Sequence, residues 1–249
     1  MGTLDQKTVI VTGGAGDLGR AYCLALAGEG AQVVVADLAD PSQVVSEITA
    51  IGNTAIGITV DVSDPASVDK LAATTLETFG HIDVLINNAG LFKNVTAGPF
   101  EDIEPEEWDR VMAVNVRGAW LCARAVVPAM RQQGSGRIIN VSSNTVWKGV
   151  TGFLHYVTSK SAMLGFTRGL AREVGEDGIT VNTIAPDYIP DEVLHDKYPG
   201  RDDTVVSLRS IPRTQTPEDL VGTVIFLAGP GAAFITGQCL LINGGSIFH

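Results

Sequence analysis

The alternation of short apolar runs with helical stretches constrains this chain most. Thr8–Thr12 (TVIVT), Gln32–Asp37 (QVVVAD), Ala55–Val62, Val84–Asn87 (VLIN), Arg137–Val141, Thr180–Ile184 and Cys239–Ile242 are rich in Val and Ile. A strand that is apolar on both faces must be covered on both faces, as the strands of a parallel sheet are. Gly19–Glu29, Pro65–Phe79, Glu106–Arg131, Tyr156–Val174 and Pro217–Leu227 read as the intervening helices. This alternation predicts an α/β fold: a doubly wound, mostly parallel sheet of seven strands with helices on both faces. No repeat or low-complexity linker divides the 249 residues, so residues 1–249 read as one domain. Asp187–Thr216 is polar, contains proline and has no clear period. An irregular segment of that length in a compact domain is often a lid, and residues 187–216 are expected to cover a substrate site.

The first strand candidate runs into VTGGAGDLGRAY, residues 11–22. Gly14-x-Gly16-x-x-Gly19 after a strand and before a helix is a dinucleotide fingerprint. Glycine lets the backbone approach a pyrophosphate, and the helix start offers free N–H groups and a positive dipole end. Gly13, Gly16, Asp17, Leu18 and Gly19 are therefore expected to line a cofactor. Asp37 closes the next strand about 20 residues on, beside Leu38, where a carboxylate accepts hydrogen bonds from a ribose and repels a 2′-phosphate. That favours NAD over NADP. Asp17 is odd beside an anion. Only the backbone must approach there, however, and the first turn of a helix favours a carboxylate.

Lys and Arg number 17 against 28 Asp and Glu, a net charge of −11. Such a surface argues against binding nucleic acid or anionic membranes. No apolar run approaches the roughly 20 residues of a membrane span, and the N-terminus lacks the regions of a signal peptide. Gln6 stands where a myristoylated Gly2 would need Ser or Thr. A soluble cytoplasmic protein is expected. Cys23, Cys122 and Cys239 lie far apart and read as small buried hydrophobes. His81, His155, His195 and His249 show no metal-ligand spacing; His195, inside the irregular segment, is the one that could face substrate.

Further motifs extend over nearly the whole chain: TGGAGDLG, Asp61–Val62, NNAG at 87–90, VNV around Asn115, IINVSS ending at Ser143, YVTSK from Tyr156 to Lys160, GITVNTIAP ending at Pro186, and FITGQ…INGG. In this order they resemble the short-chain dehydrogenase/reductase family, in its branch of about 250 residues, and imply a Rossmann-type fold. The resemblance implies that Asn115, Ser143, Tyr156 and Lys160 are catalytic. It also implies that Asp61, Val62, Asn88, Ala89, Gly90, Tyr156, Lys160, Pro186 and Ile189 join the cofactor site. Tyr156 would be the acid/base, and Ser143 would orient the substrate oxygen. Lys160 would bind the nicotinamide ribose, and Asn115 would hold a proton-relaying water. Tyr156 and Lys160, four apart on one helix, face the same way, and an ammonium there would lower a phenol pKa near 10. Relatives are commonly tetramers, so a homotetramer is expected. Trp120, Val126, Met163 and Leu170 serve either its interface or the core, and the tail Ser246–His249 is expected to pack on a neighbouring subunit.

Two features depart from the pattern. Asp17 replaces the middle glycine of T-G-x-x-x-G-x-G. In place of P-G-x-I-x-T, whose threonine anchors the carboxamide, stands Pro186-Asp187-Tyr188-Ile189-Pro190-Asp191.

Leu91–Lys93, Asn144–Trp147, Phe153 and Tyr188 are expected around the substrate, with Thr145, Trp147, Phe153 and Tyr188 as its principal lining. An apolar, partly aromatic pocket suits a compact secondary alcohol or ketone, aryl or alicyclic, and the chain has some likeness to the aryl secondary-alcohol dehydrogenases of the family. Its 3-oxoacyl carrier-protein reductases are the main alternative. They prefer NADPH and dock an acidic partner through basic residues. Asp177 stands where they resemble one another in having arginine, and the net charge would repel such a partner. A silent dinucleotide-binding relative is the third reading, opposed by the intact Asn115, Ser143, Tyr156 and Lys160.

Overall fold

A computed structural model describes residues 2–197 and 200–248. Tyr198 and Pro199 of the expected lid, and His249 of the tail, lie outside the described residues. Seven strands form one sheet: β1 (Thr8–Thr12), β2 (Gln32–Asp37), β3 (Ala55–Thr59), β4 (Val84–Asn87), β5 (Gly136–Val141), β6 (Ile179–Pro186) and β7 (Cys239–Ile242). Their spatial order is β3-β2-β1-β4-β5-β6-β7, and every pairing is parallel. This is the doubly wound Rossmann-type fold. The winding reverses between β1 and β4, which opens a crevice at the carboxyl ends of those strands.

Among the described residues ten helices connect the strands: α1 (Asp17–Gly28), α2 (Ser42–Ala50), α3 (Pro65–Phe79), α4 (Pro105–Met112), α5 (Ala119–Gln133), α6 (Thr145–Lys148), α7 (Leu154–Val174), α8 (Glu192–Lys197), α9 (Arg201–Ser207) and α10 (Glu218–Ala228). Side chains alternate across each strand, so one sheet feeds two cores. On one side Val9, Val11, Val33, Val35, Ile139 and Ile184 meet Tyr22 and Leu26 of α1 and Leu220, Val224 and Leu227 of α10. On the other, Ile10, Val34, Leu85, Ile138 and Val181 meet Val68 and Leu71 of α3, Leu121, Val126 and Met130 of α5, and Val174 of α7.

Several boundaries differ from the pattern. β3 stops at Thr59 rather than Val62. The Asp61 carboxylate accepts bonds from Ser63 N and Oγ at 2.8 and 2.7 Å, and Ser67 Oγ accepts from Asp61 N, so the chain turns away. Glu106–Arg131 is not one α-helix, because a π-helical turn, Ala113–Gly118, separates α4 from α5. The α2 segment went unread because its apolar stripe, Val44 and Ile48, is short and β-branched. Residues 187–216 are not wholly irregular either, since they contain α8 and α9. Val126 and Met163 are core residues, Leu170 is partly buried against that core, and Trp120 is half exposed under Arg124. Cys23 and Cys122 are buried, and Cys239 is partly so.

Candidate active site

The turn after β1 is closed by its glycines. Gly13 has φ +65°, and a Cβ on Gly19 would lie 1.9 Å from the Gly13 carbonyl oxygen. One on Gly14 would meet Val11 O and Val35 Cγ1 at 2.9 Å. The N-cap of α1 is Gly16, which makes no side-chain capping bond, so the first N–H groups of this helix face outward uncapped. Leu18 and Ile189 each pack on the same core, and Asp17 stands exposed. At the end of β2, Asp37 accepts bonds from Ala15 N at 2.9 Å and Ala39 N at 3.0 Å, which fix its carboxylate beside the turn. Leu38 next to it is 70% exposed, an apolar face available to a flat ring. Asn88 donates to the carbonyls of Thr12 and Gly13 at 3.0 and 3.1 Å, while Thr12 Oγ1 accepts from Asn88 N and Ala89 N. The loops after β1 and β4 are thereby locked together. Bare glycine backbone, an uncapped helix start and a fixed carboxylate fit a dinucleotide along this crevice. Val62 packs against Gly118 and Asp61 shapes the turn beside it, so both act there through the wall rather than by a free side chain.

Four polar groups gather at the reacting end. Ser143 follows β5, Tyr156 and Lys160 lie on α7, and Asn115 sits in the π turn; all four are buried. The π turn is what carries Asn115 inward. Its amide donates to Ser159 Oγ at 3.0 Å and Leu91 O at 3.3 Å, and its oxygen accepts from Leu91 N at 2.7 Å. Lys160 Nζ donates to Val141 O at 2.8 Å and lies 5.8 Å from the centre of the Tyr156 ring. Gly90 borders this ammonium, because a Cβ there would be 3.2 Å from Nζ.

Burial pushes the Tyr156 phenol up to about 12, against the opposing pull of its hydrogen bond with Ser143. Burial pushes the Lys160 ammonium down to about 8. In the protein alone the phenol therefore lies above its ordinary value rather than below it as expected, because desolvation outweighs the Ser143 bond. What the set offers at neutral pH is a neutral phenol, steered by Ser143 and ready to give its proton to a carbonyl oxygen.

The Tyr156 ring belongs to a small aromatic cluster. Phe92 lies 4.8 Å from it and 5.8 Å from Phe153, ring centre to ring centre, with Leu91, Val95, Val111 and Val150 around them. Thr145 and Trp147 lie on α6, and the Thr145 hydroxyl finds no hydrogen-bond partner among the described residues. Tyr188 sits elsewhere. It lines a small crevice inside the lid with Pro190, Val205, Val206, Arg209 and Thr214. Pro186 ends β6, its carbonyl accepting from Asn144 N at 2.8 Å. Of the histidines, His81 pairs with Asp83 at the amino end of the central strands, His155 is buried 3.8 Å from Glu107, and His195 is exposed on α8.

The family model described as enoyl-(acyl carrier protein) reductase matches residues 13–246. The chain is 34% identical to a short-chain dehydrogenase/reductase of Serratia marcescens, solved as a double mutant, with a TM-score of 0.91 over 98% of this chain and 100% of the other. This protein belongs to the short-chain dehydrogenase/reductase family. Members use a nicotinamide dinucleotide, which supplies or accepts the hydride when bound. Curated members similar to it include subunit BbsD of hydroxy(phenyl)methylsuccinyl-CoA dehydrogenase from Thauera aromatica, 35% identical over 97% of each chain. A second is the 3-oxoacyl-acyl-carrier-protein reductase of a Synechocystis strain, 36% identical over 99% of each.

Sequence reasoning missed two ion clusters at this short-chain dehydrogenase/reductase site. Lys93 pairs with Asp17 and Asp191, and Asp187 pairs with Lys148 at 2.8 Å and Arg209 at 3.3 Å. Their partners are distant in sequence, and the signal available was negative: carboxylates at Asp17, Asp187 and Asp191 where the family pattern has none.

Proposed function

We propose that this protein is an NAD-dependent dehydrogenase of secondary alcohols, or reductase of the ketones, with a compact hydrophobic substrate of aryl or alicyclic type. The observation that carries the reading is the buried Ser143–Tyr156–Lys160 set placed against Phe92 and Phe153. Ser143 holds the substrate oxygen and the Tyr156 phenol gives it a proton during reduction. In oxidation the Tyr156 phenolate oxygen takes the proton back from the alcohol. Lys160 and Asn115 hold the ribose and the relay behind it. Gly13, Gly16, Leu18, Gly19, Asn88, Ala89, Gly90, Pro186 and Ile189 form the cofactor wall, Thr145, Trp147 and Phe153 line the pocket, and residues 187–216 cover it. Asp37 supports NAD, since a carboxylate fixed by two N–H groups beside the turn repels a 2′-phosphate. The name of the Thauera relative contains a carbinol bearing a phenyl ring, which agrees with an aryl substrate.

A second reading, reduction of 3-oxoacyl thioesters, draws on the Synechocystis relative. Against it, Asp177 engages Arg131 at 2.7 Å, which neutralises a cation on that corner, and the net charge of −11 disfavours an acidic carrier.

We also propose a cytoplasmic homotetramer. Among the described residues no helix is long and apolar enough to cross a membrane, and Trp120, Leu154, Phe226, Phe234 and Phe248 expose apolar surface for association.

The deciding experiment is titration with NADH and with NADPH by nicotinamide fluorescence, then a panel of 1-arylalkanols, cyclic alcohols and 3-oxoacyl thioesters. Tighter NADH binding with turnover of the alcohols supports the first reading. Preference for NADPH with turnover of the thioesters replaces it with the second.

A further inference from the structure

The carboxylate of Asp17 is answered by Lys93. Asp17 is the first residue of α1, after β1. Lys93 follows the NNAG loop after β4, and Asp191 follows β6. Lys93 Nζ donates to Asp17 Oδ2 at 2.6 Å and makes a second ion pair with Asp191 Oδ2. One ammonium therefore joins the carboxyl-end loops of three strands, across the crevice where this fold takes its dinucleotide.

Asp191 does more than accept that charge. Its Oδ1 accepts from Leu194 N at 2.8 Å and its carbonyl from His195 N at 2.8 Å, so it starts α8, while Leu194 is buried. Whatever holds Asp191 holds the first turn of α8. The side chains of Lys93 and Asp17 are 43% and 62% exposed, so the pairs add little to global stability. Their leverage is local, on the position of a short helix.

We propose that Asp17, Lys93 and Asp191 form a latch that fastens α8 to the glycine-rich turn across the dinucleotide crevice, and that bound dinucleotide leaves when the latch opens. Lys93 also neutralises the carboxylate at the start of α1, where a dinucleotide would be held, which is how the turn would tolerate Asp17. The second half of the proposal rests on the dinucleotide reading above; the first half does not.

The test uses Lys93→Met and Asp191→Asn in the intact protein. Asparagine keeps the helix cap and removes only the charge. Without dinucleotide, hydrogen exchange of the 192–197 amides should rise about fivefold in either variant, and no further in the double variant. Raising the salt to about 0.5 M should do the same to the unmodified protein and nothing to Lys93→Met. NADH release, followed by stopped-flow displacement, should accelerate by a similar factor. Unchanged exchange in both variants overturns the latch and leaves an ordinary surface ion pair. Faster exchange with unchanged NADH release overturns its control of the dinucleotide. If the unmodified protein binds neither NADH nor NADPH, the dinucleotide reading fails, while the exchange of α8 still decides the latch.

Discussion

Lys160 Nζ lies 5.8 Å from the centre of the Tyr156 ring and spends its hydrogen bond on the Val141 carbonyl, at 2.8 Å. The ammonium is thus pinned to the end of β5, on the sheet, rather than to the phenol. On the proposed function, proton supply and ribose contact are divided between these two side chains, one helical turn apart.

Tyr156→Phe should retain the fold and the affinity for dinucleotide, because the ring and its contacts with Phe92 remain. Turnover should fall between about a hundredfold and ten-thousandfold, the usual worth of a positioned acid/base. Retention of most of the activity, with the melting temperature unaltered, would assign the proton to another group.

The buried lysine makes a prediction about pH. Its folded value near 8 lies below the ordinary lysine value of 10.5, so between those limits the unfolded chain binds the extra proton. Stability contributed by this group therefore rises with pH across that window and is flat below it. Urea midpoints at pH 7.5 and 9.5 should show the unmodified protein gaining on Lys160→Met, which has no charge to lose. Alcohol oxidation should also quicken with pH, since a phenol raised to about 12 must give up its proton to act as a base.

Gly19→Ala forces a methyl group to within 1.9 Å of the Gly13 carbonyl oxygen, against backbone that cannot rotate away. The turn must open. A loss of about 2 kcal/mol in stability is expected despite alanine's better helix propensity, with a matching loss of NADH and NADPH affinity alike. Thermal melts and fluorescence titration check both, and an undisturbed affinity would show that the crevice does not use this turn.

Asp187→Ala removes the anion between Lys148 and Arg209, whose side chains are 19% and 2% exposed. An uncompensated buried guanidinium should cost roughly 3 kcal/mol. Burial pushes the Asp187 carboxyl up, and the bond and charge of Lys148 pull it down further, below its usual range. Its contribution is thus present at neutral pH and lost as pH falls through the low folded value. Chemical denaturation of the variant should show less acid sensitivity below about pH 4 than that of the unmodified protein.

The strands were legible because Val and Ile at successive positions admit one environment, a sheet covered twice; β1, β2, β4 and β7 begin and end where the pattern does. Tyr156, Lys160 and Ser143 were legible because chemistry fixes residue type at fixed spacing. The Lys93 cluster was not, since an ion pair between loops leaves no period and no spacing in the chain. Tyr188 misled for a related reason: its place after β6 says which loop it is in, and the lid's own packing decides where the ring goes. Glu106–Arg131 misled differently, because its apolar positions continue through the π turn without a breaker.

That π turn has a consequence for how the chain tolerates change. Six residues, Ala113–Gly118, absorb a widened coil, so the helix on either side runs out of phase with the other. α4 aims its stripe at α7 while α5 aims its own at α3 and the sheet. Deleting a single residue from the coil would restore a regular helix and leave the direction of α5 nearly unchanged, because the widened turn spreads about one extra residue over the same arc. Leu121, Val126 and Met130 would still face the core, and the change would fall on Asn115, which the bulge brings to the site.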